Sequence, residues 1–155
     1  MSGESALAWL QAHAPDLKLI DHARSTATVL EAAEVLGVEP GRIAKSLAIR
    51  VGETVYLILA RGDARLDNAR CKAELGGRPR MLDAEETLAV TGHAVGGVCP
   101  FGLASEMPIL ADRSLLAYPS VFPAAGTRTS SVEVVPARLA ELVGARWVEV
   151  CKLPE

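Results

Sequence analysis

Two apolar runs rich in β-branched residues follow one another closely in the chain. They are IAKSLAIRV at residues 43–51 and TVYLILA at residues 54–60, and the pair Gly52–Glu53 separates them. Two such runs around a short glycine-containing turn are typical of a β-hairpin, which is the clearest sheet signal in the sequence. Because alternate side chains of a strand face the same side, Lys45 falls in a row of aliphatic side chains. A charged group therefore lies where apolar packing is expected.

Helical and extended patterns alternate irregularly around this hairpin. Periodicity and capping residues predict helices at residues 4–13, 28–36, 67–75, from residue 83, and at 136–143. Short strands are predicted at residues 17–20, 108–111, 120–123, 131–135 and 146–150. At 155 residues the chain fits one domain with its own core, so we expect a single domain over residues 1–155. The mixture predicts an α+β fold with helices packed outside a curved, mixed sheet.

The charge of the chain is unevenly distributed. The formal net charge is -3, which argues against a protein that coats nucleic acid through bulk charge. Residues 61–80 nevertheless contain six basic and three acidic residues. This segment, which includes Arg61 and Arg70, is either a set of solvated helix faces or a local patch for an RNA backbone.

The number and spacing of the cysteines and histidines limit which metal sites the sequence can form. The three cysteines are far apart, with no CxxC pair, and the three histidines form no HxxxH motif. This usage is typical of a reducing compartment and predicts no structural metal and no cofactor. The N-terminus lacks the basic start of a secretory signal, and no apolar stretch is long enough to span a membrane. We therefore expect a cytoplasmic protein with no membrane contact.

Lys45 and a glycine-rich segment are the first candidates for a functional site. Lys45 is either an exposed residue, on a helix over 39–48 or at a strand end, or a cation at the mouth of a pocket. The uncharged segment GHAVGGVCPFGLA at residues 92–104 contains four glycines. Those glycines either form tight turns or bring backbone N–H groups together as a cradle for an oxyanion or a carbonyl.

Cys99 raises a separate hypothesis. His93 precedes it by six residues and could act as the base for a nucleophilic thiol. The alternative is that Cys99 is a small buried hydrophobic residue, as free cysteines usually are. His93 is then a hydrogen-bonding residue of the loop, and His13 and His22 are interpreted as surface residues.

Three segments together resemble the YbaK/ProX family, the freestanding relatives of the editing domain of bacterial prolyl-tRNA synthetases. They are AKSLAIR around Lys45, LARGDARLDNARCKAELGG at residues 59–77, and TGHAVGGVCPFGL at residues 91–103. The likeness runs from about residue 17 to residue 150. The pairing of the lysine strand with a GxxxP loop at residues 96–100 is its most specific part.

The resemblance implies a fold, an activity and a set of site residues. It implies a barrel-like mixed sheet and a metal-independent deacylase that acts in trans on mischarged tRNA, with prolyl-tRNA synthetase as a further partner. The substrate that the resemblance implies is tRNA(Pro) carrying alanine, cysteine or another small amino acid. The family's lysine maps onto Lys45, and backbone groups of Gly96 and Gly97 would complete catalysis. The residues expected to contact the substrate are Val98, Cys99, Pro100, Phe101, His93, Ser131, Arg61 and Arg70.

The resemblance has departures that leave the amino acid open. Members that act on cysteinyl-tRNA carry a serine where Cys99 aligns, and a serine-containing turn and an aspartate where this chain has Ala124 and Ser131. A small apolar or hydroxylated amino acid is therefore as consistent as cysteine. Two other functions stay open at this point: a non-catalytic module that binds tRNA or a synthetase, and a Cys99-dependent hydrolase of small esters.

Overall fold

A computed structural model describes residues 2–154, so the first and last residues of the predicted domain lie outside the described chain. The helices are α1 (Ser2–His13), α2 (Val29–Leu36), α3 (Asn68–Leu75), α4 (Ala84–Thr91) and α5 (Pro136–Val143). Short 3-10 helices are formed by Pro40–Arg42 and Arg113–Ala117. None of these helices combines the length and the apolar character needed to cross a bilayer.

The strands include the two long strands of the predicted hairpin, together with shorter ones before and after it. They are β1 (Ile20–Asp21), β2 (Ile43–Val51), β3 (Thr54–Arg61), β4 (Arg65–Leu66), β5 (Arg80–Met81), β6 (Ile109–Asp112), β7 (Phe122–Pro123), β8 (Ser130–Ser131), β9 (Arg146–Val148) and β10 (Cys151–Lys152). The predicted strand at 131–135 is shortened to β8, because Val134 joins only through an isolated bridge to Val121.

Capping residues explain where the predicted helices begin and end. The Thr28 hydroxyl accepts a hydrogen bond from the Glu31 N–H, and Gly37 ends α2 with φ +69°. Asp67 and Asp83 cap α3 and α4 in the same way. Side-chain oxygens at these positions satisfy N–H groups that have no partner inside the helix. These helix predictions are therefore confirmed.

The hairpin of β2 and β3 is the centre of the main sheet. Its antiparallel register runs from Ala44 opposite Arg61 to Val51 opposite Thr54. The strand order is β5-β2-β3-β6-β9, with the β3–β6 and β6–β9 pairs parallel and β7 paired with the start of β2. The predicted mixed sheet is confirmed. The sheet does not close into a barrel, because its strand path is open within the described part of the chain.

The outer edge of β2 is divided between two short strands. β7 pairs with residues 43–44, and β5 pairs with residues 49–50. Across residues 45–47 no strand of residues 2–154 pairs with this edge. The sheet therefore has an opening beside Lys45, bounded at both ends by paired backbone.

The alternative helix over residues 39–48 is wrong. Helical geometry there is confined to the 3-10 turn Pro40–Arg42, and β2 begins at Ile43. Eight successive residue pairs join β2 to β3, and apolar side chains are buried on both faces of this hairpin. These contacts stabilise a strand, although the spacing of the apolar residues is also compatible with a helix. Ala44 and Ala48 belong to a core with Leu57 and Leu59, whereas Ile49 belongs to a second core on the opposite face.

Candidate active site

A cavity of about 400 Å³ lies at the open edge of β2. Its wall combines residues from the start of α2, from β2, from the glycine-rich loop and from the β7–β8 region. Most of the wall is apolar, and the polar side chains of the wall are Thr26, Thr28, Lys45, Ser46, Thr87, Ser130 and Ser131. A concave, mainly apolar site with a few polar groups is typical of a small-ligand site.

Lys45 lines this cavity, but its ammonium is also held by the protein backbone. The Nζ donates to the carbonyl of Gly62 at 3.1 Å and to the carbonyl of Ala64. Burial lowers the pKa of Lys45 from its usual value, against the raising effect of nearby Cys151 and Asp63. Because an ammonium has three N–H donors, two carbonyls fix its position and one donor remains.

The glycines of the loop permit close backbone packing. A Cβ on Gly96, which has φ +98°, would lie 3.0 Å from Cγ of Arg128 and 3.1 Å from Cβ of Ala27. A Cβ on Gly97 would lie 2.9 Å from backbone atoms of Gly126 and Thr127. The Gly97 N–H donates to the Ala94 carbonyl at 3.0 Å, which closes a turn. Gly96 lines the cavity, and the structure does not place Gly97 there.

The rest of the GxxxP loop divides between the cavity and the core. Val98 lines the cavity. Pro100 instead lines a separate surface groove, and Phe101 is fully buried beside Trp9, with ring centroids 5.5 Å apart. The prediction that residues 98–101 all contact substrate therefore finds support in position only for Val98.

Cys99 and His93 form a buried pair beneath the loop. The Cys99 Sγ lies 3.6 Å from His93 Nε2 and 3.7 Å from the Phe101 carbonyl. That carbonyl accepts a hydrogen bond from His93 Nε2 at 2.8 Å, so this nitrogen carries a proton. It cannot accept a proton from the thiol at the same time. Burial raises the pKa of Cys99 to about 12 and lowers that of His93.

These contacts contradict the thiol-hydrolase hypothesis. A nucleophilic cysteine needs access, an adjacent base and a lowered pKa. Cys99 is fully buried, and His93 is a neutral donor to the backbone. Neither side chain lines the cavity, and both pack beneath the loop, so their predicted contact with substrate has no support in position.

Ser131 is brought to the cavity by strand pairing. β1 pairs with β8 so that Ile20 lies opposite Ser131. The Ser131 hydroxyl is 2.7 Å from His22 Nε2, and Ser131 is 4% exposed. The prediction that His22 is a surface residue is wrong: it is half-buried and hydrogen-bonded to a residue of the cavity wall.

Arg61 and Arg70 do not reach the cavity. Arg61 forms a two-pronged ion pair with Asp63, at 2.6 and 3.0 Å, and this hydrogen bond raises the pKa of Arg61. The Arg70 guanidinium donates to the Cys151 carbonyl. The structure therefore assigns both side chains to contacts within the fold and leaves them away from the cavity wall.

Two segments of the site were missed by sequence reasoning. Thr26 is buried and donates both its N–H and its hydroxyl to the Arg128 carbonyl, at 2.7 and 3.1 Å. Arg128 in turn donates from Nε to the Val95 carbonyl at 3.3 Å. Neither residue stands out by spacing, because the contacts join positions 102 and 33 residues apart in the chain. The Thr28 cap was a usable local signal, since it identifies the start of the helix beside Thr26.

The arrangement supports polar chemistry at a small, enclosed group. One cationic residue, Lys45, one hydroxyl held by His22, that of Ser131, and the backbone of Gly96 all line the same mainly apolar cavity. Such groups can bind a carbonyl oxygen and stabilise negative charge that develops on it. Within residues 2–154 no three His, Cys, Asp or Glu side chains are grouped as a metal ion would require.

Comparison with known proteins finds a matching family model and similar proteins from two bacteria. A family model described as "Aminoacyl-tRNA editing domain" matches residues 23–142. The Bacillus subtilis (strain 168) protein YwhH, named as uncharacterized, is 48% identical over 130 residues, which cover 83% of each chain. The Enterococcus faecalis protein named "Putative Cys-tRNA(Pro)/Cys-tRNA(Cys) deacylase EbsC" is 30% identical over 121 residues, 76% of this chain and 73% of its own.

A solved structure agrees over nearly the full length. It is described as "Crystal structure of a putative trans-editing enzyme for prolyl tRNA synthetase", and it superposes with a TM-score of 0.89 at 34% identity, covering 97% of both chains. The family match and this superposition confirm the resemblance inferred from the lysine strand and the glycine-rich loop. The chain belongs to the aminoacyl-tRNA editing domain family.

Proposed function

We propose that this protein is a trans-editing deacylase that hydrolyses the ester of a mischarged tRNA. The observation that carries the proposal is the cavity at the open edge of β2, which Lys45, Gly96 and Ser131 all line. The family supports the aminoacyl-tRNA substrate class. The names of the relatives mention Cys-tRNA(Pro) and prolyl tRNA synthetase, and so we take tRNA(Pro) carrying a small amino acid as the substrate.

The size and character of the cavity fit an aminoacyl group. A volume of about 400 Å³ accommodates a small amino acid together with part of the terminal ribose. Ala44, Leu47 and Ala48 supply apolar wall, whereas Ser131 supplies a hydroxyl. The cavity is thus suited to a small apolar or hydroxylated side chain.

In the proposed mechanism, a water molecule attacks the ester carbonyl carbon. The bond from that carbon to the 3′ oxygen of the ribose then breaks. One proton of the attacking water goes to the 3′ oxygen, the other is released to solvent, and the amino acid leaves as a carboxylate. The remaining N–H of Lys45 binds the carbonyl oxygen, and its cation stabilises the charge of the tetrahedral intermediate. The carbonyls of Gly62 and Ala64 hold the ammonium in place before the substrate arrives.

The remaining predictions belong to the same proposal. We propose that the reaction proceeds without a metal or cofactor, that the protein acts in the cytoplasm, and that prolyl-tRNA synthetase is a partner that presents the tRNA. Arg61 and Arg70 lie within the basic segment 61–80 and could contribute to RNA contact outside the cavity. Their existing bonds to Asp63 and Cys151 reduce what each has available for a phosphate.

A deacylation panel tests the proposal. Purified protein is incubated with tRNA(Pro) charged with alanine, cysteine, serine, threonine or proline, with and without prolyl-tRNA synthetase, and the loss of aminoacyl ester is measured. Hydrolysis of at least one mischarged species with sparing of prolyl-tRNA(Pro) is expected. Hydrolysis of none would overturn the proposal and favour a non-catalytic tRNA-binding module.

A matched pair of variants ties the activity to the cavity. Lys45→Ala should lower kcat/KM at least tenfold, because a charge-assisted hydrogen bond to the reacting group is lost. Lys18→Ala removes an exposed lysine outside the cavity wall and should leave kcat/KM unchanged. Activity of the Lys45 variant within threefold of wild type would remove Lys45 from the mechanism.

A further inference from the structure

We propose that Arg128 forms a phosphate subsite that binds a phosphodiester group of the RNA end whose acylated terminus enters the cavity. This inference rests on the proposed function, since it assigns a second binding group to the same substrate. It concerns a residue for which the lysine strand and the GxxxP loop gave no indication.

Arg128 is not itself one of the residues that line the cavity, but its side chain lies against two that do, which puts a cation next to the wall, at the rim of the cavity. Its Nε donates to the Val95 carbonyl at 3.3 Å, and its Cγ packs against Gly96, where an added Cβ would lie 3.0 Å away. Both Val95 and Gly96 line the cavity. The Arg128 carbonyl is held by the N–H and hydroxyl of Thr26. The backbone of Arg128 is therefore anchored, while its side chain is exposed.

The Arg128 guanidinium has capacity for a ligand. Within the described part of the chain it forms no ion pair, and its hydrogen bond to Val95 uses only Nε. Two other basic residues in or just before β2 already have partners. Arg42 binds Ser120 and Glu133, and Arg50 forms an ion pair with Glu86. The two Nη groups of Arg128 thus remain as donors at the rim.

The chemistry of these donors favours phosphate. A guanidinium presents its N–H groups in a planar fork that matches two oxygens of a phosphate or carboxylate. An aminoacylated RNA end carries phosphodiesters along its backbone, and the nearest lies one ribose away from the ester. A rim cation beside the cavity is where that group arrives when the ester is inside. Arg128 also contacts the loop through Val95 and Gly96, so one side chain positions the phosphate relative to the loop.

The test compares two substrates that differ in phosphate. One is the aminoacyl-tRNA hydrolysed in the panel above, and the other is the same amino acid esterified to the 3′ hydroxyl of free adenosine, which has no phosphate. Arg128→Gln keeps the stem that packs on Gly96 and removes the charge. We expect kcat/KM to fall at least tenfold on the tRNA and to change less than twofold on the adenosine ester. Arg128→Lys should recover part of the loss.

Controls separate the subsite from general effects. Arg113→Gln removes an exposed arginine that lies 3.9 Å from Glu149 and outside the cavity wall, and it should behave as wild type on both substrates. For one lost phosphate contact, the negative slope of log kcat/KM against log salt concentration should become shallower by about 0.7. Equal losses on both substrates would overturn the inference and indicate a role in holding the loop. An unchanged rate on the tRNA would overturn it as well.

A binding measurement distinguishes this inference from the proposed function. Fluorescence anisotropy with labelled, uncharged tRNA(Pro) reports RNA contact without turnover. If wild type hydrolyses no ester in the panel but binds this tRNA at least tenfold more tightly than Arg128→Gln, the deacylase proposal fails and the phosphate subsite stands. Equal binding by wild type and Arg128→Gln would overturn the subsite whatever the panel shows.

Discussion

His22 Nε2 lies 2.7 Å from the Ser131 hydroxyl, although 109 residues separate them in the chain. The β1–β8 pairing produces this contact, because it places Ile20 opposite Ser131. Ser131 also lines the cavity, so the imidazole determines which way the hydroxyl of the cavity wall points. The relationship joins the first strand of the chain to the site.

The His22–Ser131 pair should act as one unit in deacylation. Ser131→Ala should lower kcat/KM about tenfold, and His22→Ala by less, because a free hydroxyl can still rotate toward the substrate. The double variant should lose little more than Ser131→Ala alone, since the imidazole acts through the hydroxyl. Ser105→Ala, an exposed serine outside this cavity, serves as the control. Additive losses would show that His22 acts independently.

The buried ammonium of Lys45 should appear in the pH dependence of stability. Burial lowers its pKa below the usual 10.5, so between the folded value and 10.5 the unfolded chain binds more protons. The free energy of unfolding of wild type should therefore rise with pH in this window, relative to Lys45→Met. Urea unfolding of both proteins from neutral pH to 10.5 measures the difference. Parallel curves would contradict the lowered pKa.

Gly97 should be intolerant of a methyl group for steric reasons alone. Its φ is not in the left-handed region, yet a Cβ would lie 2.9 Å from the backbone of Gly126 and Thr127. Gly97→Ala should lower the free energy of unfolding by about 2 kcal/mol or more and displace the loop. Gly77→Ala, whose Cβ meets only the end of the Val51 side chain at 3.0 Å, should cost less than about 1 kcal/mol. Equal costs in thermal or urea unfolding would contradict this packing.

The three thiols should be unreactive in the folded protein. All are buried, and burial raises the pKa of Cys71 to about 11 and those of Cys99 and Cys151 to about 12. At pH 8 the thiolate fraction is then about 0.001 or less. A colorimetric disulfide reagent should therefore titrate fewer than one thiol in native protein and three in denaturant. Rapid labelling of the native protein would show that the cores open readily.

Cys99→Ala should separate packing from catalysis. The thiol contacts the Phe101 carbonyl inside the core and does not line the cavity. We expect deacylation within threefold of wild type, with a loss of about 1 kcal/mol in the free energy of unfolding from the space left behind. Loss of nearly all activity in a folded variant would restore the thiol mechanism. Circular dichroism and thermal unfolding supply the control for folding.

Local patterns were sufficient wherever neighbouring residues supply the stabilising contacts. The β2–β3 hairpin follows from two β-branched runs around Gly52–Glu53, and α2 follows from the Thr28 cap and the Gly37 stop. In each case the stabilising hydrogen bonds join residues that are close in the chain, so the local sequence is sufficient to predict the element. The shortened strand at 130–131 shows the limit, because its partner is the distant β1.

The sequence by itself determined the family, the α+β class, the hairpin that carries Lys45 and the glycine-rich loop. Tertiary structure alone decided which of the candidates face the cavity. It placed Gly96, Val98 and Ser131 on the wall, buried Cys99 and Phe101, and brought in Arg128. The physical reason is that cavity walls are built from long-range packing and strand pairing. Spacing along one strand or loop does not encode which distant backbone will lie against it.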